Sequence, residues 1–112
     1  MTATPWRVGV LFVLLAASSS AANEVRLIEA VKSGDAPAVR ALLSRSPDVN
    51  APASDGTSAL HWAVRADDRA IVEQLLHAGG NPNTTNRLGV TPLSLAATNG
   101  SAVMIERLLK AG

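Results

Sequence analysis

Two stretches 33 residues apart decide how this chain folds: GTSALHWAVRADDRAIVEQLLHAG, residues 56–79, and GVTPLSLAATNGSAVMIERLLKAG, residues 89–112. Gly56 recurs as Gly89, Leu60 as Leu93, Ala63 as Ala96 and Val72 as Ile105. Leu75 and Leu76 recur as Leu108 and Leu109, and Gly79 as Gly112. The same step taken backwards finds Leu27, Ala30, Val39, Leu42 and Leu43, and pairs Asn50 with Asn83. A fixed period of this length marks one supersecondary unit used repeatedly, each copy burying its apolar face on the next.

Inside a unit the apolar spacing is helical, in two short pieces. Leu60, Ala63 and Val64 stand at i, i+3 and i+4 on one face, and Ile71, Val72, Leu75 and Leu76 form a second stripe. Gly34, Asp67 and Gly100 fall between the pieces, where the chain reverses and where Gly or Asp most easily takes a left-handed conformation. Asp35 with Pro37, and Thr91 with Pro92, read as helix N-caps followed by a first-turn proline. Turn-rich loops over 45–57 and 79–90 join successive helical hairpins.

Units of this period, with T-P-L and L-x-x-A in the first helix and I-V-x-x-L-L-x-x-G in the second, resemble ankyrin repeats. The resemblance covers residues 24–112 and implies an all-α solenoid of stacked helix-turn-helix repeats joined by hairpin-like loops. The expected organisation is a domain over 23–112 with repeats at about 23–53, 54–86 and 87–112, the last incomplete. The departures are local: Ser58-Ala59-Leu60-His61 stands where the family usually has T-P-L-H, and Thr91-Pro92-Leu93-Ser94 has serine at the histidine position. The first unit shows Ser46-Pro47 in place of the loop glycine.

The resemblance also supplies a role for His61. In this family that histidine bonds within the loop and to the neighbouring repeat, while the hydroxyl three positions earlier, here Ser58, fixes the helix start. A catalytic histidine needs a nucleophile or proton acceptor and an orienting group, and no recognised arrangement surrounds His61 in the sequence. His77 is expected to be a solvated last-turn residue. The spacing of the two histidines leaves a metal site short of a third ligand. No catalytic residue, cofactor or metal ligand is expected. Trp62 aligns with Leu95, which points to packing between repeats, with a binding hot spot as the second reading. Of two short glycosylation-like sequons, at Asn83 and Asn99, only Asn99 is expected to be open to modification, because Asn83 matches a structural loop asparagine.

The segment 1–22 has a different character. Arg7 precedes an uncharged apolar run from Val8 to Ala17 and then small residues, the layout of a cleavable secretory signal peptide. The run falls short of the roughly 20 apolar residues a membrane span takes. Cleavage near Ala22 or Asn23 would place the domain in the periplasm or outside the cell, with no remaining membrane contact. The chain has no cysteine, which excludes a lipid-bearing thiol, disulfides and thiolate metal sites. Loss of the leader removes Arg7 and no acid, leaving a formally neutral domain without the basic footprint of a nucleic-acid binder.

A solenoid of this kind presents a concave surface of loop tips and first-helix residues. The family pattern places Ser54, Asp55, Thr57, Arg65 and Ala66 there in the second unit, and Arg87, Leu88, Val90, Thr98 and Asn99 in the third. The expected function is therefore a non-enzymatic module that binds a protein partner. A second reading makes it an accessory or scaffold segment of a larger exported multidomain protein, which an enzymatic domain could complete. The last helix, with Val103, Met104, Ile105, Leu108 and Leu109, is as apolar as the interior one it repeats. Self-association or further repeats are expected to cover it.

Overall fold

The computed structural model of the protein describes residues 21–112. Most of the expected leader, with Trp6 and Arg7, lies outside these residues. The described residues form six helices and no strand. They are α1 (residues 21–33), α2 (Ala36–Leu43), α3 (Ala59–Arg65), α4 (Arg69–His77), α5 (Pro92–Asn99) and α6 (Ala102–Ala111). Each unit is a helical hairpin, as the 33-residue period implies, and the loops fall within a residue of the expected 45–57 and 79–90.

Helices of seven to ten residues are too short to be stable alone in water. Their order comes from capped ends and shared packing. Asp35, Ser58, Asp68, Thr91 and Ser101 each accept a hydrogen bond from the backbone N–H three residues on, satisfying an otherwise unpaired donor at a helix start. At the reversals Gly34, Asp67 and Gly100 have φ of 71°, 53° and 68°, so the three positions singled out in the sequence are the left-handed ones. The loop after α2 makes the same demand at Ser46, with φ of 54°, where the next unit has Gly79 at 94°. The first repeat thus adopts the family's loop shape with a residue that resists it.

One continuous core runs through the stack. Leu27, Val31, Val39, Leu60, Val64, Ile71, Val72 and Leu75 are at most 2% exposed, and Ala96, Met104 and Leu108 extend the core into the third repeat. α3 packs on α4 within its hairpin and on α5 of the next, α5 packs on α6, and α2 packs on α4. The outer stripe of α6 is uncovered among the described residues, with Val103 51% and Leu109 60% exposed.

Polar ties cross between neighbours. Asn50 donates to the Gly79 carbonyl at 3.1 Å and accepts from Asn81 N–H at 2.7 Å. Arg87 N–H donates to the Asp55 carbonyl at 3.1 Å, joining the two loop tips. On the opposite side Arg107 of α6 forms a two-pronged pair with Glu73 of α4, its second contact 3.1 Å long. His77, largely exposed in the last turn of α4, sits 3.8 Å from the same carboxylate.

Candidate binding groove

The loops before α3 and α5 share one backbone hydrogen bond and are each braced by a short polar side chain, from a different position in the two. In the first, Ala53 N–H donates to the Thr57 carbonyl, and the Asp55 carboxylate accepts from Thr57 N–H at 3.0 Å. In the second, Asn86 N–H donates to the Val90 carbonyl, and the Asn86 side-chain oxygen accepts from Leu88 and Val90 N–H at 2.9 and 3.0 Å. Short polar side chains that bond the backbone two residues on favour such turns over helix or strand. Asp55 and Leu88 therefore occupy matching tips. The backbone hydrogen bond from Thr57, followed by that from its hydroxyl, holds the Asp55 carboxyl below its usual range.

His61 ties the two loops together. Its Nδ1 lies 3.1 Å from Ser58 N and 2.8 Å from Ser58 Oγ, and its Nε2 lies 2.8 Å from the Val90 carbonyl oxygen. A backbone N–H can only donate, so Nδ1 accepts and Nε2 carries the hydrogen that bonds Val90. The Ser58–His61 contact has the spacing of a nucleophile and its base. Both residues are 1% exposed, however, and the groups around them are the helix start and a neighbouring carbonyl. The arrangement is a capping box with one arm extended to the next repeat. Ser94 closes the equivalent box on Thr91, with bonds of 3.0 and 3.1 Å, and has no such arm.

Between these loops and the faces of α3 and α5 lies a shallow groove of about 220 Å³. Of the sequence-expected residues it gathers Asp55, Thr57, Arg65, Leu88 and Val90. Leu88 stands out at 87% exposed. The groove is completed by Trp62, which the sequence offered as a binding hot spot in second place, and by Leu95, Asn86 and His61, which were not expected there. The alignment of Trp62 with Leu95 was a usable signal, since equivalent positions on successive first helices line one surface. Trp62 is half-buried against the core and also lines the groove, with the Lys32 ammonium 4.6 Å and the Arg65 guanidinium 5.6 Å from its ring centre. Both distances are within cation–π range. Its indole Nε1 is buried without a hydrogen-bond partner among the described residues.

Two expectations need correction. Thr57 is not an exposed contact residue: it is 8% exposed, because its hydroxyl faces Asn86 Nδ2 of the next loop at 3.5 Å. Asn99 is exposed, but its amide nitrogen donates to the Val64 and Arg65 carbonyls at 3.0 and 3.1 Å, closing the C-terminal end of α3. A glycan on that nitrogen would take one of its two N–H groups and with it one of these bonds. Ser54, Ala66, Arg87 and Thr98 are exposed outside the groove lining, with Ser54 bordering a separate hollow beside α1.

Among the described residues no three His, Cys, Asp or Glu side chains converge as a metal site, and no helix is long and apolar enough to cross a membrane. The molecule is a stack of hairpins around an open groove, the architecture of a repeat-built binding scaffold. A family model described as ankyrin repeats in three copies matches residues 9–86, and one described as ankyrin repeats in many copies matches residues 75–112. The chain belongs to the ankyrin-repeat family. The first match begins inside the segment read as a leader.

Among curated proteins, the mitochondrial disaggregase of Rattus norvegicus is 54% identical over 41 residues, which is 37% of this chain and 6% of that protein. A putative ankyrin repeat protein of Fowlpox virus is 46% identical over 56 residues, 49% of this chain and 16% of that protein. The RelA-associated inhibitor of Mus musculus is 31% identical over 88 residues, 79% of this chain and 11% of that protein. The similarity spans a small part of each of these relatives. Ankyrin repeats are protein-interaction modules, and that is the class of function the family assigns.

Proposed function

We propose that this chain is an exported, non-enzymatic module that binds a protein partner through the groove between its second and third repeats. The observation that carries the reading is the groove itself: an 87% exposed leucine at a loop tip, beside Trp62, Val90 and Leu95. An apolar side chain so exposed marks a contact surface, and it stands beside a tryptophan and an arginine, the residue types enriched among the anchors of protein interfaces. The surrounding loops are held by the His61, Asn50 and Arg87 bonds, so the site is preorganised and binding costs less ordering entropy. Export rests on the three-part layout of residues 1–22.

Partner capture from the exported fraction tests the binding reading, comparing the wild-type chain with an Arg65, Arg87 and Leu88 triple alanine variant. Selective loss of a specific partner with the variant is expected, and equal recovery removes the groove from contention. Sequencing the N-terminus of the exported product tests the location, with a start at residue 22 or 23 expected. A second reading, a repeat segment serving a larger multidomain protein, is favoured by the small fraction of each curated relative that the similarity spans.

A further inference from the structure

We infer that the groove takes a peptide segment carrying a carboxylate beside an apolar side chain, a specificity that rests on the binding reading above. The apolar half of the site is Leu88, Val90, Leu95 and the edge of Trp62, a surface suited to one aliphatic or aromatic side chain. Arg65 supplies the polar half. It lies in the last turn of α3, lines the groove, and its guanidinium is poised over the Trp62 ring. Among the described residues no carboxylate comes within 4.0 Å of Arg65 or of Arg87 on the facing loop.

The lone acid in the groove lining does not fill that role. The Asp55 carboxylate keeps its negative charge, but it is bonded to Thr57 N–H in its own turn, is acted on by Lys32 and makes no ion pair with Arg65. An arginine positioned on an aromatic face presents a planar fork of donors that matches a carboxylate in two-pronged fashion. Lys32, 4.6 Å from the centre of the same ring, lies outside the groove lining, is only loosely paired with Glu29 at 3.8 Å and also acts on the Asp55 carboxylate. An acidic group on the partner thus finds an unpaired counter-charge at Arg65, while a basic one placed there meets a like charge.

Selection of a displayed library of random twelve-residue peptides on the full chain tests this, with Leu88→Asp and Arg65→Glu variants selected in parallel and their folding checked by thermal melting. Wild-type winners are expected to carry Asp or Glu within a few positions of an apolar residue, and Arg65→Glu winners to exchange the acid for Lys or Arg. For a winning peptide, changing its acid to the amide should weaken binding about tenfold to wild type and hardly at all to Arg65→Ala, the signature of direct coupling. Winners that require Leu88 but carry no acid, or that bind equally as acid and amide, overturn the inference and leave the groove reading standing. Failure to enrich any peptide, or enrichment indifferent to Leu88→Asp, overturns both.

Discussion

The second and third repeats use one design with different reach. In the second, the side chain that closes the capping box is His61, long enough to grasp the Val90 carbonyl of the following loop. In the third it is Ser94, which closes its own box and stops. The inner stripes are buried alike, Ile71 and Leu75 in α4 and their equivalents Met104 and Leu108 in α6, but Leu76 is partly buried while its equivalent Leu109 is 60% exposed. The same local sequence logic gives a stiff interior and a softer end, because a hairpin's order depends on how many neighbours it has.

Truncating one enclosed leucine and one uncovered leucine should expose this difference most strongly. Leu75→Ala is expected to lower stability by about 3 kcal/mol, since it opens a void in a fully enclosed core. Leu109→Ala, at a side chain 60% exposed, should shift the denaturant midpoint little. Equal losses at the two sites, measured by urea unfolding, would show that the ends are as well covered as the middle.

The two capping boxes should differ by less. His61→Ala strands the buried Ser58 N–H and is expected to cost about 2 kcal/mol, whereas Ser94→Ala, at an exposed box, should cost about 0.5 kcal/mol. Thermal melts of both variants check this order. His61→Ala should also increase hydrogen exchange at Val90 and its neighbours, a long-range effect that Ser94→Ala lacks.

The reversals offer a gain of stability. Asp67 holds a left-handed φ of 53° where the other two hairpins have glycine, so Asp67→Gly is expected to stabilise by about 0.5 kcal/mol after the greater freedom of glycine in the unfolded chain is set against the relieved strain. A fall in melting temperature instead would mean that the Asp67 side chain makes a stabilising contribution of its own.

Acid should act through the tie between α4 and α6. Arg107 holds the Glu73 carboxyl below its ordinary value of 4.5, chiefly by the hydrogen bonds between them. A depressed carboxyl favours the folded state above its unfolded value, and that contribution fades as pH falls from about 4.5 through the lower folded value. Because both side chains are substantially exposed, the effect is small and weakened by salt. Glu73→Gln should flatten the stability profile in that acid window and leave the neutral region nearly unchanged.

The architecture could be read from the residues because each local signal agreed with the period. Gly34, Asp67 and Gly100 marked the turns, Asp35 and Thr91 the helix starts, and the stripes of leucine and valine the buried faces. The binding surface was only half legible. Loop tips follow from the repeat pattern, but whether an intervening side chain points out or in depends on contacts 29 residues away, such as Thr57 with Asn86. Asn99 shows the same limit: its neighbours in sequence give no hint that its amide reaches back 34 and 35 residues to the end of α3. For Trp62 the sequence favoured packing over a binding role, and its place as a groove wall needed the placement of Arg65 and Leu88 around it.

The hydrogen bonds described between repeats all span 29 to 35 residues. No pairing of distant segments has to be found before the structure begins to form, so the conformational search is short and a hairpin can set as soon as its neighbour has been synthesised. Such a chain tolerates lengthening by whole units far better than the insertion of a few residues, which would throw every later contact out of phase.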